Sequence, residues 1–370
     1  MRTRDAVLLY QETEKDTATK TLDLNLKEPI SALNFEVQCT NGATSNKGNY
    51  ISDIVTKVEI VDGSLVLGSL NMAQLEALHL ITAGQMPALF PSEWGGGGQR
   101  HNANLFFGRY LWDRDFNFDA TKYKNPQLKV TFNKAAIRAA GDTGFASGDN
   151  IKLTVVAKVF DDVPAASQFL MSKQIDSFTS VGSGDKKIEL PTDFKYRMLL
   201  LRMWLQGYDI NEIISKVKLT CDTDKFIPIE RYTQQLDAEA LPYTYGRLKH
   251  DMFFGSGDSI RLLFNKEPFC HVYAQTPGTP RMFNLTAQWS SELSEVEVYA
   301  HDGTLDTEDR KVTAIEEGHA LHATLPIPFG RLSEPEDWFD PTPYERLDLI
   351  LSQGTASATV EIVGQQVKPQ

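Results

Sequence analysis

The clearest group of potential metal ligands in the sequence is His319 and His322, with Glu316 and Glu317 shortly before them. A metal site on one strand face usually needs a His-x-His pair and a nearby glutamate, because residues two apart point the same way. None of the seven histidines has that spacing. The residues around His319 and His322 favour a strand, on which side chains three apart point to opposite faces. We therefore expect no metal site there.

Acidic residues cluster near aromatic or basic residues at two places. The first place is Asp113 and Asp115, on either side of Arg114. The second surrounds Trp338, and its members are Glu334, Glu336, Asp337 and Asp340. Carboxylate pairs cleave glycosides only at defined separations, which spacing along the sequence does not fix. A chain with 49 acidic and 37 basic residues forms such clusters by default, so we expect solvated loop ends or subunit contacts.

Other catalytic and binding motifs are absent or incomplete. The sequence contains no Gly-x-Ser-x-Gly, no Walker loop and no Gly-x-Gly-x-x-Gly opening a helix. Gly95–Gly98 lacks the Lys-Ser/Thr that a phosphate-binding loop requires, and the acidic run Asp302–Asp309 departs from the EF-hand pattern. We therefore predict no catalytic, cofactor-binding or metal-binding residues, no cofactor, and no enzymatic activity.

Charge and cysteine content narrow the class of protein further. The net charge is −12, and the basic residues Arg2 and Arg4 at the start are followed at once by acidic ones. Tight binding to a phosphate backbone needs clustered Lys and Arg, so we expect no tight nucleic-acid binding. The three cysteines have no CxxC spacing, which favours buried free thiols and assembly in a reducing cytoplasm. No signal-peptide pattern or membrane-spanning run of ~20 apolar residues is present.

The elements that would position these residues occur twice. Ile51–Ile60 recurs as Ile210–Leu219, and every pair of positions except Glu59/Lys218 is identical or chemically close. The apolar alternation keeps its phase, so we expect a strand that points the same side chains inward in both copies. The first-copy residues expected to share one face are Ile54, Thr56, Val58 and Ile60, and their counterparts are Ile213, Ser215, Val217 and Leu219.

A second pair of matches follows in the same order. Phe107–Arg109 recurs as Phe329–Arg331, and Phe118–Tyr123 recurs as Phe339–Tyr344. Several matches in one order indicate a duplicated β domain. Since Arg109 and Arg331 both recur, we expect them to share a structural task. Our hypothesis is that each pairs with the following aspartate, Asp119 or Asp340.

The offsets between the copies locate an insertion. The first match is separated by 159 residues and the second by 222, so the second copy carries about 63 additional residues. They must lie within Thr233–His319, and we place the insertion at about 245–318. The segment has strand-like runs of its own at Ser259–Phe264, Met282–Trp289 and Val296–Ala300.

One helix is predicted in the first copy. Asn71 can cap it with Gln74 three positions on, as in a capping box. Leu75, Leu78 and Ile81 form an apolar stripe, and Gly84 with Pro87 ends the helix.

These features predict an all-β fold of two tandem eight-stranded jelly rolls, a double jelly roll, with a short helix and a β-rich insertion in the second. The paired segments Ile51–Ile60 and Ile210–Leu219 resemble the double jelly-roll major capsid proteins of tailless icosahedral viruses, the lineage that joins membrane-containing phages to adenoviruses. Val58–Val66 and the helix that follows are similar to the smaller phage members, especially those of lipid-containing phages of aquatic bacteria. The resemblance covers nearly the whole chain and rests on architecture and repeat pattern.

This resemblance implies a viral structural protein of the capsid shell in the virion, a homotrimer that forms pseudo-hexameric capsomers. Its partners would be further copies of itself, a penton or minor capsid protein, and an internal membrane. The insertion would form an external tower or a trimer clasp.

We predict the following domains: an N-terminal arm at 1–20, a first jelly roll at 21–165, a linker at 166–186 and a second jelly roll at 187–370. The sequence leaves two other functions open. One is a secreted tandem jelly-roll carbohydrate-binding protein or glycan hydrolase. The other is a two-cupin metalloenzyme, which the missing His-x-His disfavours.

Overall fold

The computed structural model describes residues 1–43, 46, 48–92, 95–139, 144–254, 260–275, 282–284, 286–289, 295–299 and 310–370. The strands of the first half are β1 (Thr3–Glu14), β2 (Thr17–Asp23), β3 (Ile30–Thr40), β4 (Val55–Asp62), β5 (Leu65–Leu70), β6 (Ala88–Phe90), β7 (Gly98–Phe106), β8 (Pro126–Asn133) and β9 (Ile151–Phe160). Its helices are α1 (Ile51–Ile54), α2 (Met72–Ala83), α3 (Lys134–Ala139) and a 3-10 helix at Ala120–Lys122.

The strands of the second half are β10 (Gln168–Thr179), β11 (Gly184–Leu190), β12 (Tyr196–Trp204), β13 (Ile214–Cys221), β14 (Phe226–Tyr232), β15 (Gly246–Phe254), β16 (Ile260–Arg261), β17 (Phe264–Gln275), β18 (Met282–Asn284), β19 (Thr286–Trp289), β20 (Glu295–Tyr299), β21 (Arg310–Leu321), β22 (Thr324–Pro328), β23 (Leu347–Gln353) and β24 (Thr359–Pro369). Its helices are α4 (Ile210–Ile213), α5 (Thr233–Thr244) and a 3-10 helix at Pro335–Asp337.

Each half is a jelly roll. In the first half the sheets β1-β9-β3-β7-β6 and β2-β8-β4-β5 face each other across the core. In the second half the corresponding sheets are β10-β24-β12-β22 and β11-β23-β13-β14. Apart from the small edge strand β6, the order of the strands is the same in both. The predicted fold class is therefore confirmed.

The insertion lies between β14 and β22 of the second jelly roll. It forms two further sheets, β15-β21-β17-β18 and β16-β20-β19. Its base packs against the first jelly roll, where Leu263 and Phe264 join Tyr50 and Leu80 in a small apolar cluster. The Tyr50 hydroxyl also donates a hydrogen bond to the carbonyl oxygen of Arg261 at 2.7 Å. Contact with the first jelly roll therefore positions the base of the insertion.

The two copies share irregularities as well as strand order. The pairing of β3 with β9 shifts register at Ser31, and that of β12 with β24 shifts at Arg197. The pairings of β1 with β9 and of β10 with β24 shift directly after Val7 and Gln174. Bulges at equivalent places fix a residue-by-residue correspondence between the copies.

The repeat at Ile51 differs from the prediction in one respect. Residues Ile51–Ile54 form the helical turn α1 instead of the start of a strand, and Thr56 is exposed. The Asp53 carboxylate accepts a hydrogen bond from the Tyr50 backbone N–H at 2.7 Å, and Glu212 does the same for Asp209 before α4. This capping interaction favours a helix over a strand at the same place in both copies.

The predicted arm and linker are wrong. Residues 3–14 form β1, which pairs with β9 along its length. Residues 168–179 form β10, which pairs with β24 inside the second jelly roll. β1 looks polar in the sequence because most of its residues are exposed, although Leu8 and Leu9 still pack on the first core. β10 lacks a regular apolar and polar alternation because it lies between the two jelly rolls, where Phe169 and Met171 pack on the first core.

The helix prediction is confirmed by α2. The Asn71 side chain accepts from the Gln74 backbone N–H, the Gln74 side chain accepts from the Asn71 N–H, and Gly84 ends the helix in the left-handed region at φ 64°. The helix is buried on nearly all sides from Met72 to Ile81. The buried surface of α2 therefore extends well beyond the apolar stripe predicted from the sequence.

Candidate functional site at the contact between the two jelly rolls

The two jelly rolls meet along a surface that we call the junction, where β5 and β10 pair in parallel at Ser69 and Lys173. The outward face of the β10-β24-β12-β22 sheet packs against the core of the first jelly roll. Its side chains, each at most 6% exposed, are Phe169, Met171, Met198, Leu200 and Val363. Because the inward face of this sheet covers the second core, the central part of β12, Met198–Leu201, is apolar on both faces. The junction is therefore part of the hydrophobic core.

A polar cluster surrounds the N-terminus of α2 within the junction. The Asn71 amide donates to both oxygens of Glu361, at 3.1 and 3.0 Å, and the Gln74 amide donates to Glu361 at 2.9 Å. Gln74 also donates to Gln174 of β10 at 2.8 Å, and Arg202 forms an ion pair with Glu361 at 3.1 Å. A carboxylate is favoured at a helix N-terminus, where unpaired N–H groups carry partial positive charge. The cluster fixes the orientation of one jelly roll on the other.

A fully buried carboxylate, Glu76 of α2, joins three elements. One oxygen contacts His101 Nδ1 of β7 at 2.7 Å, and the other contacts His322 Nε2 in the β21–β22 turn at 2.5 Å. Burial by itself raises the pKa of a carboxyl, but the two imidazoles outweigh it and lower the pKa of Glu76 to about 2. Glu76 is therefore charged at neutral pH, and it links the first jelly roll to the second.

The loops after β7 and β22 contact each other at the opposite end of the junction. The rings of Phe116 and Trp338 lie 5.6 Å apart and pack with Leu170 of β10. The Arg109 guanidinium donates from Nη1 to the Ser333 carbonyl oxygen at 3.0 Å. Equivalent loops therefore meet side by side, so the two jelly rolls stand in the same direction.

Arg197 links a loop and a strand at this end of the junction. It is buried, and it donates to the Leu332 carbonyl oxygen at 3.0 Å and to Gln365 Oε1 at 2.7 Å. Burial, together with the nearby positive charge of Arg109, lowers the pKa of Arg197 to about 10. The side chain stays charged at neutral pH and binds loop and strand together.

The hypothesis that Arg109 and Arg331 pair with Asp119 and Asp340 is wrong. Arg109 binds Asp113 through Nε at 2.7 Å and Nη2 at 2.9 Å, and Arg331 Nε binds Asp337 at 2.6 Å. A Cβ atom on Gly108 would lie 2.6 Å from that of Asp113, and one on Gly330 would lie 2.5 Å from that of Asp337. The repeated Phe-Gly-Arg motif thus brings an arginine against a nearer aspartate, and only glycine allows the approach.

Asp119 and Asp340 have a shared task of another kind. Asp119 Oδ1 accepts from the Thr121 N–H at 3.0 Å and the Thr121 hydroxyl at 2.6 Å. Asp340 Oδ1 accepts from the Thr342 N–H at 3.1 Å and its hydroxyl at 2.7 Å. The repeated Phe-Asp-x-Thr segment is therefore a local turn in both copies.

The candidate metal residues lie apart. His319 packs against the ring of Tyr245, and His322 contacts Glu76. Glu316 binds His250 Nε2 at 2.7 Å, while Glu317 accepts from the Tyr245 hydroxyl at 2.9 Å. Within the described ranges, no group of three or more His, Cys, Asp or Glu side chains is arranged to hold a metal ion.

The two acidic clusters have structural surroundings. Asp113 is buried beneath Arg109, whereas Asp115 is exposed and reaches the same guanidinium at 2.6 Å. Of the residues around Trp338, Asp337 holds Arg331, and the indole N–H donates to the Arg331 carbonyl oxygen at 3.1 Å. These residues are contacts of the two loops that meet at the junction.

The remaining candidates divide into described and undescribed residues. Cys39 and Cys221 are free and buried, and burial raises the pKa of both thiols to about 11. Gly95–Gly98 forms a turn that leads into β7. The acidic run at 302–309 and the side chain of Cys270 lie outside the described residues. Within the described part, no helix is long and apolar enough to cross a membrane.

Sequence reasoning missed the junction itself. One signal for it exists, since Met198–Leu201 is a continuous apolar run while the aligned Ala32–Phe35 contains Asn34. A strand that is apolar at every position is buried on both faces. Glu76, His101 and His322 give no such signal, because they are distant in sequence and have no common motif.

No protein-family model and no curated protein matches this sequence. Solved structures do match, over nearly the whole chain. The major capsid protein of Sulfolobus turreted icosahedral virus is 12% identical at a TM-score of 0.59, covering 99% of this chain and 97% of that chain. The PBCV-1 virus capsid is 9% identical at a TM-score of 0.58, covering 99% and 93%.

The major capsid protein P2 of bacteriophage PM2 is 9% identical at a TM-score of 0.55, covering 100% of this chain and 98% of that chain. These likenesses show a shared fold. The chain has the double jelly-roll architecture of viral major capsid proteins, as the resemblance in the sequence predicted.

Proposed function

We propose that this chain is a structural major capsid protein, three copies of which form a pseudo-hexameric capsomer of an icosahedral virion. One observation carries the proposal: two jelly rolls with the same strand order and bulges stand side by side in one direction, joined by a buried junction. Its fold likeness to capsid proteins of three different viruses supports the same function.

The physical argument rests on symmetry. Three copies of a chain with two similar jelly rolls place six similar units around one axis. Such a trimer fits a lattice position with six neighbours while it uses only closed threefold contacts. A rigid junction suits this task, because the two units of each chain must keep one fixed relation in the shell.

The direction of the chain in the shell follows from its two ends. One end carries the loops around Phe116 and Trp338, and the other carries α2, α5 and the insertion. We propose that the insertion faces outward, where an addition of this size is tolerated, and that the loops face the interior. With a net charge of −12, the inner end would meet a membrane or genome without gripping phosphate tightly.

The proposed partners are further copies of the chain, then a penton or minor capsid protein and an internal membrane. The proposed location is the virion shell, after assembly in the host cytoplasm. The proposed role is structural and not catalytic, and the fold likeness to viral capsid proteins supports it.

Mass in solution tests the proposal directly. Light scattering on the purified chain should give three times the chain mass of 41.4 kDa, and electron microscopy should show particles with a pseudo-hexagonal outline. A chain that stays monomeric at every concentration, and yields no ordered arrays when concentrated, would contradict the proposal. It would favour the sugar-binding alternative, which a glycan-binding screen on the same sample would then reveal.

A further inference from the structure

One edge of each jelly roll has the same position but different surroundings. In the first jelly roll, β5 ends its sheet and is covered by β10, so that Leu67–Leu70 is buried. In the second, β14 occupies the equivalent position and pairs with β13. Among the described residues no strand covers its other edge, and Phe226 and Tyr232 are exposed, the latter by 61%.

The opposite edge shows the same contrast in reverse. Strand β10 pairs with β24 on one side and meets β5 on the other, whereas its counterpart β1 pairs with β9. The outer edge of β1 carries no other described strand, and Val7 and Tyr10 are 60% and 71% exposed. Each chain therefore has one bare edge of each kind.

We infer that the β14 side of one copy docks against the β1 side of the next copy, as the intermolecular counterpart of the junction. The inference rests on the proposed trimer and names the surfaces that hold it together. A second copy is the occupant because the chain already covers the equivalent edges with its own other jelly roll. Each copy offers both surfaces, so three copies joined head to tail close a ring.

The correspondence between the two jelly rolls of one chain identifies the residues that meet across the proposed contact. Asn71 and Tyr232 are the N-caps of α2 and α5, so Gln74 corresponds to Gln235. Gln174 and Val7 pair with Val363 and Val156, which are equivalent positions of β24 and β9. Within the chain, the Gln74 amide donates to Gln174 at 2.8 Å. Gln235 of one copy therefore lies beside Val7 of the next.

Exposure agrees with this assignment. Gln74 is fully buried by the junction, while Gln235 is exposed and its side chain accepts only a local hydrogen bond from the Tyr232 N–H among those described. The two bare edges also carry charges of both signs, arranged in the local ion pairs Lys216–Glu230 and Lys158–Asp5. A local ion pair at each edge keeps that edge polar in a free copy.

A cross-linking experiment tests the pairing. The double variant Val7→Cys/Gln235→Cys is treated with a short bismaleimide and separated on a denaturing gel. Both positions are exposed, so folding is unaffected, and the described native thiols Cys39 and Cys221 are buried. We expect covalent dimers that progress to a covalent trimer and no longer ladder, with each single variant giving at least tenfold less.

The matched control is Val7→Cys/Val181→Cys, since Val181 is exposed in the loop after β10 and its N–H donates to Gln353 of β23, which β13 separates from β14. It should give no more cross-linking than the single variants. A trimer by light scattering without cross-linking of Val7→Cys/Gln235→Cys, or with equal cross-linking of the control, would overturn the inference and leave the proposed trimer intact. A monomer by light scattering would overturn both.

Discussion

Equivalent faces of the two jelly rolls carry different side chains. On the outward face of the second jelly roll, Met198, Leu200 and Val363 are buried in the junction. At the position of Leu200, the first jelly roll has Asn34, whose amide donates to Asn102 at 2.7 Å and to Asn104 at 2.8 Å. The backbone register is the same, so the contrast lies in the side chains alone.

The two faces differ because one packs against the same chain, whereas the other would pack against another copy. The junction partner is on the same chain and is always present, so an apolar face there is never exposed. The outward face of the first jelly roll must remain soluble until another copy arrives, and large exposed apolar patches promote aggregation. A ladder of amides that satisfy one another keeps that face polar and still flat enough to dock.

The largest expected effect separates these two faces. Leu200→Asp places a charge in the junction without a partner, and it should lower the free energy of unfolding by about 4 kcal/mol or more. Asn34→Asp, at the equivalent position, should change it by less than about 1 kcal/mol because that face is partly exposed. Urea denaturation of both variants measures the difference.

Two further results would sharpen this comparison. Leu200→Ala should cost about 3 kcal/mol through the cavity alone, which separates lost packing from buried charge. If Asn34→Asp were as damaging as Leu200→Asp, the two faces would be equally enclosed in the isolated chain, and the contrast between them would not hold.

The second prediction compares the two repeated arginines. Arg109 is 12% exposed over the fully buried Asp113, whereas Arg331 is 73% exposed beside Asp337. Arg109→Ala leaves a buried carboxylate without its charged partner and should cost about 2 to 3 kcal/mol. Arg331→Ala removes a solvated ion pair and should cost less than about 1 kcal/mol. Thermal denaturation of the two variants tests this order, and equal losses of stability would contradict it.

The sequence revealed the duplication because apolar phase and short motifs survive in both copies. Ile51–Ile60 and Ile210–Leu219 do lie at equivalent positions of the two jelly rolls, and the capped helix at Asn71 is present. Strands β1 and β10 escaped notice for two different physical reasons. β1 is an edge strand with most of its residues exposed, whereas β10 is enclosed between the two jelly rolls, so neither strand shows the alternation of a half-buried strand.

Partners within the chain were harder to predict than elements. The sequence points to Arg109 and Asp119 as a repeated pair, but the loop turns back so tightly at Gly108 that Asp113 is nearer. Such a choice depends on the path of a loop, which residue spacing does not encode. The same holds for Glu76, whose partner His322 comes from the other jelly roll.

The third prediction concerns acid sensitivity at a position where the copies differ. His79 Nδ1 accepts from the Asn104 N–H at 3.0 Å, and burial, opposed by Glu76, lowers the pKa of His79 from 6.5 to about 4. The unfolded chain therefore takes up this proton at a higher pH than the folded chain. The contribution of His79 to the free energy of unfolding is therefore fully present above pH 6.5. It falls as the pH drops toward 4, by about 2 kcal/mol at pH 4.5.

The matched variant is His79→Ala, because Ala240 of α5 occupies the equivalent position in the second jelly roll. Its free energy of unfolding should change between pH 7 and 4.5 by about 2 kcal/mol less than that of the unaltered chain. Glu76 contributes below this range, since its pKa falls from 4.5 to about 2. An unchanged pH profile in the variant would show that His79 is not the group responsible.

The smallest effect tests whether a repeated turn has the same energy in both copies. Asp119→Ala and Asp340→Ala each remove an acceptor for a threonine N–H and hydroxyl, and each should cost about 1 kcal/mol. Asp119 is buried and Asp340 is half-buried, so Asp119→Ala should be the more costly, while the Asn variants should retain most of the stability because the amide oxygen still accepts. Urea denaturation of all four variants decides the matter. Equal losses would mean that the turn is a self-contained unit whose energy its own residues determine. A loss confined to Asp119 would mean that surroundings, as on the two sheet faces, decide what a duplicated residue contributes.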